Sequence, residues 1–133
     1  MPGAVRFALA MILAHVVVQF FHGAAHGRLG IGLSAAEKLF VGIVIFVAPL
    51  LAGILLAMKL HRAGAALLVV SMAGSFLFGV YKHFVAAGLD NVASHPFRGW
   101  GLTFQATAVL LGLTEALGCW AGVQVLKRGS SES

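Results

Sequence analysis

The sequence predicts an all-α protein: a bundle of four transmembrane helices running up-down-up-down. Three observations carry that expectation. Of 133 residues, 60% are hydrophobic and only 10% charged, with a mean hydropathy of +0.99, where an ordinary soluble domain carries about 25% charged residues. The apolar residues fall into four long blocks, at about 4–26, 36–58, 63–87 and 100–126. Each block has the ~20 residues that cross a ~30 Å hydrocarbon core as a helix. The connectors between them are short and carry helix-ending and helix-starting residues. Residues 1–128 are therefore expected to form one membrane domain, and residues 129–133 a flexible polar tail.

The first block contains the stretch AHVVVQFFHGAAH, residues 14–26. A secretory signal is an alternative reading, with Arg6 as the basic start and Gly23, Ala24 and Ala25 as a small-residue cleavage site. His15 and Gln19 argue against it, because the apolar core of a signal is normally uninterrupted by such residues. The connector that follows holds Gly27, Gly30 and Gly32 as helix-ending residues. Ser34 then stands three places before Glu37, the spacing of a capping box at the start of the second helix. Within that helix, Pro49 removes a backbone hydrogen bond and should bend it.

A tight basic turn, KLHR at 59–62, leads to the third block. The longest connector, GLDNVASHPFRGW, offers Gly88 as a helix cap, Asp90 and Asn91 as turn formers and Pro96 near the start of the fourth helix. Gly23 and Gly27 have the small-xxx-small spacing that lets helices approach closely. The single Cys119 forms no internal disulfide.

Lys and Arg near the helix ends set the orientation. Arg6, Lys59, Arg62, Lys127 and Arg128 share one side, and Arg28, Lys38, Lys82 and Arg98 the other. This excess of one residue places both termini in the cytoplasm, with a bacterial inner membrane as the expected location. The net charge of +5 is what such flanking residues give, so the lipid bilayer is the expected partner and nucleic acid is not. A homo-oligomer or a larger membrane complex is compatible with so small a bundle.

At 100° per residue, Gln19, His22 and His26 fall at about 40°, 340° and 20° from His15, inside a wedge of roughly 60°. Four polar side chains on one stripe are expected to face the bundle interior or a wet cavity rather than lipid. Depth separates two groups. His22 and Gln19 lie about 6 and 10 Å from the surface formed by the first and third connectors, and Gln105 about 7 Å. With His26, Tyr81, His83 and His95 they make an outer group. His15 at about 16 Å and Glu115 at about 22 Å make an inner pair.

His22 and His26, four residues apart, share a helix face from which two imidazoles reach one metal ion. His83 and His95 would complete three or four nitrogen ligands, a set suited to zinc, copper or iron. Gln19, Gln105 and Tyr81 are supporting polar groups, and Asp90 or Glu37 would orient a ligand or bind directly. Each has a plainer reading. Histidines near a membrane boundary need no ligand, Glu37 fits the capping box, Asp90 fits a turn, and Tyr81 and Trp100 fit interfacial anchors. His15 and Glu115 are read either as a proton-relay element beneath the outer site or as a hydrogen-bonded pair holding the helices together.

Three function classes follow. The first is a metal-binding membrane protein, redox-active or handling the ion. The second is a small b-type cytochrome in which His22 and His83 are the axial ligands of one haem b. The third is an accessory or assembly subunit of a membrane complex with no chemistry of its own. Whether the protein is an enzyme is left open by the residues. The stretches SMAGSFLFGVYKHF, FHGAAHGRLGIGLS and TAVLLGLTEALG give the chain a resemblance to uncharacterised small four-helix membrane proteins of bacteria, which implies no activity. The layout is similar in outline to small membrane cytochromes, an analogy of fold alone.

Overall fold

A computed structural model describes residues 1–130, with side chains through 128. Among them the regular structure is entirely helical. Four helices are long and apolar enough to span a membrane: α1 (Gly3–Leu29), α2 (Ala35–Ala57), α3 (His61–Val85) and α4, the last running Gly99–Ser130. A short 3-10 turn, Val92–Ser94, lies between α3 and α4.

These bounds shift the sequence expectations by a few residues. The fourth helix continues beyond 126 to Ser130, so the first two residues of the expected tail are helical, and 131–133 lie outside the described residues. The third helix starts at His61 and ends at Val85. Gly88 therefore does not cap it; Ala86 takes that place with extended backbone, its N–H donating to the Tyr81 carbonyl. The first helix runs through Gly27 and closes at Gly30, whose φ of 67° is the left-handed conformation of a C-cap. The Ser34/Glu37 capping box forms as the spacing predicts.

The helices are apolar on their outer faces, which suits elements with protein inside and lipid outside. Leu13, Phe20, Ile43, Val70, Leu77 and Leu113 are all more than half exposed on the outer surface. A soluble protein would bury such a set. Inside, α4 packs on both α1 and α3, the two largest helix interfaces. The larger core cluster, with Val5, Ala8, Ile12, Leu56, Leu68, Met72 and Val125, lies in the half of the bundle away from His22, His26 and His83, and a smaller one of Ala25, Ile31 and Phe104 lies beside them.

Close approach is carried by glycines other than those expected. A Cβ on Gly64 would stand 2.9 Å from the Ala52 carbonyl oxygen, and one on Gly122 would stand 2.7 Å from Val69 Cγ2. Gly23 and Gly27, by contrast, have nothing within 4 Å of a Cβ position. Gly23 lies instead on a cavity wall, so its spacing with Gly27 serves no helix contact.

The cavity has a cause in α2. Residues Val41–Val47 form a π-helix, followed by Pro49 in the next helical segment. A proline cannot donate to the carbonyl four residues back and crowds it, and a π turn is a common accommodation. The outer half of α2, residues 35–47, packs chiefly on α3, which leaves space between it and α1 and α4.

Candidate metal centre

On α1 the polar residues continue the buried seam. Val5, Ala8, Ile12, His15, Gln19, His22 and Ala25 are its buried positions, so the stripe read from the sequence does face inward. His26 follows at the half-buried end of the same face. On α3 the last turn, Tyr81–Val85, is a second π-helix. Its extra residue per turn changes which side chains face inward: His83 is buried, while Tyr81 is 59% exposed on the outer surface. Tyr81 thus does not support the site, contrary to expectation.

His22, His26 and His83 each offer a nitrogen within 4.8 Å of the others, a group that can hold one metal ion. The hydrogen bonds around them fix the tautomers. The Thr107 hydroxyl spends its proton on the Thr103 carbonyl at 2.6 Å, so His22 Nδ1–H is the donor in its 2.8 Å bond to Thr107 Oγ1. His83 Nδ1 faces two acceptors, the Asp90 carbonyl at 3.0 Å and Asp90 Oδ1 at 3.2 Å, so it too carries its proton. Both Nε2 atoms are then bare lone pairs, and they lie 3.2 Å apart. Two acceptors face to face repel unless a cation sits between them, either a shared proton or a metal ion. Two nitrogens on a tetrahedral zinc, each ~2.0–2.1 Å from it, stand about 3.3 Å apart.

Asp90 is more than a turn residue. It is buried, and its Oδ1 is 3.2 Å from His26 Nε2 as well as from His83 Nδ1. Burial pushes its carboxyl up, but hydrogen bonds from the two imidazoles outweigh this and hold it below the ordinary carboxylate range. A carboxylate on the far nitrogen of a histidine fixes the ring and raises its basicity as a ligand. Lys82 lies 4.0 Å from Asp90 and bridges to Glu37 at 2.6 Å. Glu37 is therefore engaged by its capping box and by Lys82.

Phe104, fully buried, is the floor of the cluster. Its ring stacks on His22 at 4.9 Å and meets His26, His83 and His95 edge-on. His95, expected as a fourth ligand, stands apart from the other three: its Nε2 donates to the Leu89 carbonyl. Gln105, expected to support the site, donates instead to the Val92 and His95 carbonyls. Both residues tie the α3–α4 connector down, which explains why they were drawn from the metal. A haem held by His22 and His83 would need the macrocycle between the two rings, and a nitrogen separation of 3.2 Å leaves no room for it.

The inner pair meets as depth suggested. His15 and Glu115 are both buried, with His15 Nδ1 3.9 Å from Glu115 Oε1. His15 Nε2 donates to the Ile45 carbonyl at 3.1 Å. Ile45 is four residues before Pro49, so its carbonyl lacks the N–H an α-helix would give it. The histidine supplies a donor that the proline removed.

A cavity of about 320 Å³ joins the two groups, with Gln19, His26, His83, Asp90 and Glu115 in its wall. Gln19 Oε1 is buried in that wall without a partner. Sequence reasoning missed Thr107 and Phe104. The one available signal was spacing, since Thr107 and Thr114 lie seven apart on one face of α4. Comparison of the chain with protein-family models, curated protein sequences and solved structures gave no match, so the functional reading rests on this geometry.

Proposed function

We propose that this is an integral membrane protein, an up-down-up-down bundle, that binds one transition-metal ion through His22, His26 and His83. Asp90 orients two of these rings and Thr107 the third. The observation that carries the reading is the 3.2 Å separation of His22 Nε2 and His83 Nε2, close to the edge of a tetrahedral zinc site. Imidazole ligands suit zinc, copper and iron alike, and a three-histidine set leaves a further coordination position for water or substrate. With both termini on the side richer in Lys and Arg, the metal lies toward the opposite surface of the membrane.

The test is elemental analysis of the untagged, detergent-purified protein after growth in metal-supplemented medium. Near one equivalent of zinc, copper or iron is expected, with no haem absorption bands. His22→Ala and His83→Ala should each lose most of it, and His61→Ala, at the start of α3, should lose none. Equal metal in all three variants would sink the proposal.

A further inference from the structure

Gln19 carries a buried polar atom that the fold leaves unsatisfied. It is 7% exposed, its Oε1 has no hydrogen-bond partner, and it lines the 320 Å³ cavity. A buried amide oxygen left unpaired costs about 1–3 kcal/mol, so such a group in a cavity wall points to something that donates to it.

Ser75 and Glu115 lie along the same part of the wall, and Lys38, His26, His83 and Asp90 also line the cavity. Ser75 lines the cavity, and its hydroxyl proton goes to the Ser71 carbonyl at 2.7 Å, leaving lone pairs. Glu115 Oε1 faces His15 Nδ1, whose ring proton is on Nε2, and Oε2 lies toward the Gly79 side of the wall. Between the polar groups the wall is apolar, with Phe46, Phe78, Val80 and Leu111. Apolar walls with a few convergent polar atoms are the usual make-up of a small-molecule site, and 320 Å³ falls in its size range of about 300–1,000 Å³.

Glu115 also lines a groove on the outer surface between α3 and α4, with Phe76, Leu77, Cys119 and Trp120. The carboxyl thus stands between the cavity and the region facing the acyl chains. Apolar surroundings of this kind suit a lipophilic ligand.

We propose that the cavity is a binding site for a small lipophilic phenol, its hydroxyl donating to Gln19 Oε1 and its ring lying against Phe46 and Phe78. The aromatic walls favour a flat ring over an aliphatic body. The unpartnered Gln19 Oε1 selects a hydroxyl donor. This site does not depend on the metal, although His26 and His83 border the same cavity.

The probe is 4-propylphenol compared with its methyl ether, which keeps the shape and loses the donor. Both are titrated calorimetrically into the purified full-length protein, with matched micelles as the blank and metal content measured on the same sample. Saturable binding of the phenol, about tenfold tighter than the ether, is expected. Gln19→Leu should bring the two within about twofold, Ala108→Phe should abolish both by filling the cavity, and His22→Ala should leave the preference intact. Phenol and ether binding alike, no saturable binding at all, or undiminished binding to a folded Ala108→Phe protein would each overturn the proposal. Loss of metal in His22→Ala with the phenol preference kept would separate this site from the metal reading.

Discussion

His22 Nε2 and His83 Nε2 face each other at 3.2 Å, while the Nδ1 protons of the same rings are committed to Thr107 Oγ1 and to the Asp90 carbonyl. Neither ring can turn to relieve the contact without breaking a buried hydrogen bond. Two imidazoles held this way by partners on α4 and on the α3–α4 connector are presented as ligands before any ion arrives. The energetic argument for a metal therefore lies in the groups behind the rings as much as in the rings.

Thr107 tests that argument. Thr107→Val keeps the shape and removes the oxygen that accepts from His22, freeing the ring to change tautomer. Loss of such a supporting partner typically weakens metal binding about 10–100-fold, and the same is expected here, with Thr107→Ser close to wild type. Competition with a chelator of known affinity measures it, and an unchanged affinity in Thr107→Val would remove the hydroxyl from the account.

Asp90 acts on two rings at once, so its effect should be coupled to theirs. In Asp90→Asn, His83 keeps the backbone carbonyl at 3.0 Å, and the loss should fall mainly on His26. A double-mutant cycle between Asp90→Asn and His26→Ala should show an interaction of about 0.5–3 kcal/mol in metal affinity; strict additivity would show that the carboxylate does not act through this ring. The sign with pH follows from the lowered carboxyl. Its contribution to stability is complete above the ordinary Asp value of about 3.9 and disappears as pH falls through the lower value of the folded state. The Asn variant should lack that acid step in a melting-temperature profile.

Much of this was legible in the sequence, for reasons that depend on local chain geometry. Block length announced the four helices, and the 3.6-residue period placed His15, Gln19, His22 and His26 on one inward face. Ser34 and Glu37 announced their own capping box. What could not be read was which ring of a distant segment the stripe would meet. His95 and His83 looked alike by depth, and the difference between them arises from the π turn at Tyr81–Val85 and from Gln105 anchoring the connector. Asp90 was legible as a turn residue or as one that would orient a ligand, and the choice between them needs the end of α1 and the α3–α4 connector brought together.

Metal should also stabilise the fold, since the three rings come from helices that must be packed to bring them together. An ion binding only the folded state adds about 2.7 kcal/mol at one hundred times its dissociation constant. Chelator treatment should lower the melting temperature of the wild type in detergent, and restoring the ion should recover it. His22→Ala should show no shift in either direction. A shift of the same size in that variant would mean that the ion acts elsewhere.

The two kinds of glycine give opposite expectations. At Gly64 and Gly122 a side chain meets backbone or packed side-chain atoms at 2.9 and 2.7 Å, so Gly64→Val and Gly122→Val should each destabilise by about 1–3 kcal/mol through overpacking. Gly27 has open space where a Cβ would go and sits inside α1, where alanine is the better helix former by about 1 kcal/mol. Gly27→Ala should be neutral or stabilising. Thermal unfolding followed by circular dichroism distinguishes them, and equal losses at all three would contradict the packing described for α2, α3 and α4.

Pro49 links the backbone of α2 to the interior polar groups, and its replacement is the most informative change to the fold. In Pro49→Ala the new N–H competes with His15 Nε2 for the Ile45 carbonyl, now bonded at 3.1 Å, and the π turn at Val41–Val47 loses the proline that sustains it. An α-helical α2 would bring residues 35–47 toward α1 and α4 and shrink the cavity that Ile45 and Phe46 line. The chain should gain helix stability, because a proline inside a helix costs about 3 kcal/mol, while 4-propylphenol binding falls and amide exchange at residues 45–50 slows. Metal content should hold, since the α2 contact to the site, Glu37 through Lys82, lies outside the Val41–Val47 turn that Pro49 bends. A Pro49→Ala protein that kept its cavity ligand and its fast exchange would place the cause of the π turn in packing against α3 rather than in the proline.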